Sequence, residues 1–139
     1  MNLRFILTAA AVVLLTVVCC SSSQSPSTTV ERLCRTVELG DVEKAAAFFS
    51  NGLISKRGVG PLKTDLRDTS LELKEHGGIK SIKVLKEDVV GDVAEVVVEI
   101  TRGNGDVATV HYKLIREQGD WKVNAVNSNP NPEGIDPSR

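Results

Sequence analysis

The apolar residues change their period at Gly77-Gly78, and that change restricts the chain to helices first and an antiparallel sheet second. Before the glycine pair, apolar residues recur at the spacing of one helix face. After it they alternate residue by residue, as on a strand with one buried face. A pattern written for one period does not fit the other, so helices and strands occupy separate blocks of sequence. That segregation predicts an α+β domain rather than alternating βαβ units.

In the first block, Pro26-Ser27-Thr28-Thr29 supplies capping-type residues, and Val30, Leu33, Cys34 and Val37 form the face of a helix that Gly40 ends. Asp41 caps a second helix, with Glu43 in its first turn and Val42, Ala45, Ala46 and Phe49 along one face. Asn51-Gly52 and Gly58-Val59-Gly60 read as a loop. Pro61 then opens a third helix whose stripe of Leu62, Leu66, Ser70 and Leu73 runs to Gly77-Gly78. In the second block, Ala94, Val96, Val98 and Ile100 alternate with Glu95, Val97 and Glu99, while Ala108, Val110, Tyr112 and Leu114 alternate with Thr109, His111 and Lys113. Turn residues at Gly91-Asp92, Gly103-Asn104-Gly105-Asp106 and Gln118-Gly119-Asp120 separate the runs. Strands are expected at 79–90, 93–101, 107–117 and 121–126, followed by a disordered tail over 127–139.

The N-terminus carries an address. Arg4 precedes an apolar run from Phe5 to Val18, which is followed by Cys19-Cys20 and the polar stretch Ser21-Ser22-Ser23-Gln24-Ser25-Pro26. This is the three-part pattern of a signal peptide, and the run is shorter than the ~20 residues of a membrane-spanning helix. An ordinary cleavage site is poorly supplied, because Ala9-Ala10-Ala11 lies inside the apolar run. Val17-Val18-Cys19-Cys20 instead resembles the lipobox of bacterial lipoproteins, with Cys19 at the small position and Cys20 as the acylated residue. The resemblance implies a signal peptide over 1–19, a lipidated cysteine and polar tether over 20–29, and a folded domain over 30–126. Acyl chains such as palmitate on Cys20 would hold the protein at the bacterial cell envelope, on the periplasmic side of the inner or outer membrane or at the cell surface. Unlipidated export and an uncleaved anchor are the alternatives. Under the lipoprotein reading Cys34 is the only thiol left, so no internal disulfide is expected.

The charge balance bears on partners. A net charge of −1 gives no basic footprint for nucleic acid, and Lys80, Lys83 and Lys86 read as a solvated strand face.

Gly40-Asp41-Val42-Glu43-Lys44-Ala45 at the helix hairpin and Gly119-Asp120-Trp121-Lys122-Val123 at the last strand resemble nuclear-transport-factor-2-like domains of the cystatin-like superfamily. The resemblance is closest to uncharacterised bacterial lipoprotein families within it and spans residues 26–126. It implies helices packed on a curved four-stranded sheet, a cone that can enclose a pocket. Enzymes of this fold, among them ketosteroid isomerases and small dehydratases, place an acid or base inside the cone. The interior strand faces here are aliphatic, with Tyr112 as their one polar group, so the expected pocket is Tyr112, Val96, Val98, Val110 and Leu114.

A base for Tyr112 is missing from the sequence reading. His76 falls at a helix end and His111 on a polar strand face, while Asp65 and Asp68 read as a solvated helix face. Trp121 reads as a residue sealing the core or the sheet edge. No metal-ligand spacing, phosphate loop or nucleophile elbow occurs, so neither cofactor nor metal is expected. The expectation is a non-catalytic domain binding an apolar small molecule or a protein partner, with a small pocket enzyme of the isomerase or dehydratase kind as the alternative. A homodimer through the sheet is a third reading, which an exposed apolar patch around Val97 would favour.

Overall fold

Ser25 accepts a hydrogen bond from the Thr28 amide at 3.2 Å and caps a first helix, α1, at Pro26–Leu39 in the computed structural model, which describes residues 24–129. The expected signal peptide over 1–19, the expected lipid site Cys20, residues 21–23 and residues 130–139 lie outside the described residues. Proline at the first helical position needs no hydrogen-bond partner for its nitrogen, so the helix begins in the stretch expected to be tether. Helix α1 therefore starts at Pro26, ahead of the boundary expected at residue 30. Gly40, at φ 79°, closes α1 by donating to the Val37 carbonyl at 2.9 Å.

The next segments depart from the sequence expectation. Asp41 caps α2, which spans only Val42–Ala46. Phe49 leaves the helix to bridge Val123, with the Ser50 amide donating to Val123 O at 2.9 Å and the Val123 amide to Phe48 O at 2.8 Å. The expected loop holds a helix, α3, at Asn51–Arg57. Its cap is Ser50, whose buried hydroxyl accepts from the Leu53 amide at 3.1 Å and donates to Asn124 Oδ1 at 2.7 Å. Helix α4, Val59–Glu75, starts two residues before Pro61, and proline is tolerated there because the first turn has no internal acceptor to lose. Leu62, Leu66, Ser70 and Leu73 are buried along its inner face, as their spacing predicts.

Four antiparallel strands follow in meander order: β1 Ile79–Val90, β2 Val93–Arg102, β3 Val107–Glu117 and β4 Asp120–Asn129. The last strand runs past Val126, because Asn127, Ser128 and Asn129 pair with His111, Val110 and Thr109, so the expected tail shortens. Ala94, Val96, Val98 and Ile100 face the helices, with Tyr112 and Val98 register partners of Val96 and Val84. The irregular pattern of β1 has a cause. The register shifts between Val84 and Lys86, and beyond that bulge Glu87 shares the face of its partner Val96. There Glu87 accepts a hydrogen bond from the Ser27 amide at 3.0 Å, tying the start of α1 to β1.

The two ends of the molecule are built differently. At the near end lie the start of α1, the β1–β2 turn and the Phe48–Ser50 segment seated on β4. At the far end α4 turns into β1 through Gly77 and Gly78, both at positive φ, and leans on the β2–β3 turn. Gly103 donates to Gly78 O at 2.9 Å and Asn104 to His76 O at 2.9 Å. A Cβ on Gly103 would stand 2.2 Å from Gly77 O, a backbone atom with little freedom to move. We predict that Gly103→Ala destabilises the domain by about 1–3 kcal/mol, lowering Tm by roughly 5 °C or more in a thermal scan. An unchanged Tm would mean that the corner opens without cost.

Candidate ligand cavity

Because the near end is plugged and the far end is not, the helices leave a cavity of about 510 Å³ over the far half of the sheet. Its apolar lining comes from α1 (Leu33, Val37), from α4 (Leu62, Leu66) and from the strands (Ile100, Val110). Tyr112 also lines it. Val96, Val98 and Leu114, expected beside Tyr112 and Val110, do not: they are fully buried in the packed core. The reason is that α1 packs on β1 and β2, while the Phe48–Ser50 segment bridges Val123, the register partner of Leu114, and the interior is closed there. Trp121 is buried in that core, with the Arg116 guanidinium 4.6 Å from its ring centre.

Two polar side chains on the cavity floor, Cys34 and Tyr112, meet each other, whereas the buried Ser70 hydroxyl on α4 has no hydrogen-bond partner. Cys34 Sγ lies 3.5 Å from the Tyr112 hydroxyl, the two side chains being 5% and 6% exposed. The thiol is thus the small buried residue expected from its spacing, yet it also lines the cavity. Burial pushes the Cys34 thiol up, against a weaker opposing effect of the Tyr112 hydrogen bond. Burial likewise raises Tyr112 well above the ordinary phenol value, with the neighbouring sulfur adding to the shift. Both groups are therefore protonated and neutral at physiological pH.

The mouth is charged, which the sequence reading missed. Arg57 pairs with Asp65, and Arg102 Nη2 lies 2.9 Å from Glu72 Oε1, so each cation at the rim has a carboxylate beside it. Asp65 thus belongs to the cavity rim, whereas Asp68 is exposed and absent from the lining. Arg57 was hidden because its segment reads as loop. Arg102 and Glu72 carry no signal in sequence, since only the α4–β1 corner brings them together. Of the two histidines, His111 is exposed on the outer sheet face, and His76 Nδ1 sits 3.3 Å from Asn104 Nδ2 at the corner. Neither lines the cavity. Among the described residues no group of His, Cys, Asp or Glu is placed to hold a metal ion. Val97 is buried on the outer face, with Lys86 and His111 as its register partners, so the apolar patch that would favour sheet pairing is not found there.

Solved structures share this arrangement. A candidate nuclear-transport-factor-2-like transpeptidase from Campylobacter jejuni superposes with a TM-score of 0.66 at 14% identity, covering 73% of this chain and 99% of that one. A SEC-C-motif-containing protein from Rhodopseudomonas palustris matches with a TM-score of 0.52 at 16% identity, over 74% of this chain and 77% of that one. Likeness at these identities is likeness of fold, and the fold is the nuclear-transport-factor-2-like one. No family model matches the sequence, and no curated protein matches it.

The buried pair makes a prediction about pH. Unfolding exposes the thiol and phenol, which then ionise at lower pH than in the folded domain, so the unfolded chain holds fewer protons above about pH 9. The stability they contribute is present below that range and lost as pH rises through it. Urea midpoints should fall above about pH 9, and fall less steeply in Tyr112→Phe. Parallel declines in the two proteins would show that the pair does not titrate with folding.

Proposed function

We propose that this protein is an exported bacterial lipoprotein, held to an envelope membrane by lipid on Cys20, whose non-catalytic domain binds an apolar small molecule in the cone. One observation carries the binding part: a cavity of about 510 Å³ has an aliphatic lining and a floor whose polar atoms are already paired. Ligand pockets commonly have volumes of about 300–1,000 Å³, with apolar walls and few polar groups. An apolar ligand gains by displacing water from such walls, and it leaves Tyr112 and Cys34 bonded to each other.

The catalytic alternative is less well supplied. Acyl transfer of the kind named for the Campylobacter jejuni neighbour needs an activated nucleophile, and isomerisation needs a base. Cys34 is kept protonated by burial, and its partner is a phenol rather than a base that could accept its proton. Asp65 and Glu72 are engaged with arginines at the rim. No helix among the described residues is long and apolar enough to cross a membrane.

Thr69 offers a way to test the cavity without disturbing the core, since it is an exposed α4 residue on the lining. The neutral fluorophore N-phenylnaphthylamine should brighten on binding one site per chain, and Thr69→Trp should weaken that binding at least roughly tenfold with little change in Tm. Equal binding by both proteins would contradict the assignment. For the anchor, fatty-acid labelling in cells should vanish in Cys20→Ala, and labelling that persists would place the lipid elsewhere.

A further inference from the structure

The near end of the domain carries exposed valines on the tip of the β1–β2 hairpin. Val90 is 80% exposed, its register partner Val93 54% and Val89 48%. Large aliphatic side chains gathered at a turn gain nothing from the fold they belong to, and such a cluster marks a contact surface.

The position of this tip identifies what it meets. The start of α1 is tied to the adjoining part of β1 through the Ser27 amide and Glu87, and Val90 stands three residues, or ~10 Å, further along the strand. Between Cys20 and Ser25 the chain spans six residues, at most about 20 Å. A lipid on Cys20 therefore holds the near end, and not the far one, against the bilayer surface. Lys86, next to the tip, is engaged by Asp88 at 3.1 Å and Glu95 at 3.7 Å, and the turn itself carries Asp92, so the tip offers a bilayer no free cation and its attraction rests on the valines alone.

Resting on the lipoprotein reading above, we infer that the Val89-Val90-Gly91-Asp92-Val93 hairpin docks into the interface of the membrane that holds the Cys20 lipid. The tether makes this contact effectively intramolecular, so a few valines suffice where they would not recruit a free protein. The docked tip fixes the orientation of the domain. Arg102 and Glu72 at the cavity rim lie at the opposite end of the strands from Val90 and Val93. The mouth then opens away from the bilayer, toward ligands arriving from the aqueous side or from a partner, and not toward lipid below it.

The test uses the full lipidated chain in vesicles of phosphatidylethanolamine and phosphatidylglycerol containing a lipid with a nitroxide high on its acyl chain. A nitrobenzoxadiazole label is placed at Val90→Cys or at Glu75→Cys, an exposed position at the far end of α4. Cys34 is buried and Cys20 is acylated, so the added thiol is the one labelled. On chains that float with the vesicles, quenching at Val90 should exceed that at Glu75 several-fold. Equal quenching on floating chains would overturn the docked orientation while leaving the anchor intact. Chains that carry no acyl mass and do not float would overturn the anchor reading and the docking with it.

Discussion

A backbone contact with no room for a side chain governs where this domain is hollow. Gly103 packs against Gly77 so closely that a Cβ would stand 2.2 Å from the Gly77 carbonyl oxygen. That contact, with the hydrogen bonds of Gly103 and Asn104 to Gly78 and His76, holds the end of α4 to the β2–β3 turn. Helix α4 runs back from the corner packed mainly against α1, α2 and α3, so the corner sets where its leucines stand across the cavity from the strands. The far half of the cone then depends on the corner for its width, while the near half depends on Phe48–Ser50 and Val123 for its closure. One end is propped and the other plugged, and the cavity follows from the difference.

The chemistry of the interior follows from burial. Water is the usual partner of a thiol or a phenol, and inside the cone Cys34 and Tyr112 have each other instead. A pair of neutral, weakly polar groups can line an apolar site without the desolvation cost that a carboxylate would bring. The charged residues are kept to the rim, each arginine beside a carboxylate, where solvent reaches them. This division suits an interior that holds a ligand through contact area.

Much of the fold was legible because period and punctuation agree. Val30, Leu33, Cys34 and Val37, and later Leu62, Leu66, Ser70 and Leu73, announce their helices, and all are buried as their spacing requires. The strands were legible for the same reason. What was lost depended on contacts distant in sequence. Asn51-Gly52 reads as a turn, and it is helical because Ser50 is capped and held by Asn124, a residue set at a bulge of β4. Strand β4 continues through Asn127 and Ser128 because β3 offers it partners, although its own side chains have little strand propensity. The site suffered similarly. Strand alternation correctly assigned Val96, Val98 and Leu114 to the inner face, but alternation does not tell a packed interior from a hollow one. The Cys34–Tyr112 pair and the Arg102–Glu72 rim pair join residues far apart in the chain, and no local pattern announces either.

The central claim is that the hollow half of the cone is occupied by an apolar molecule in the cell. Native mass spectrometry of the protein, purified from cells without denaturation, tests this most directly. The account predicts a bound small molecule of defined mass that is released on unfolding and is missing from Thr69→Trp. A chain that carries no such mass, or one that carries it equally in both proteins, would contradict it.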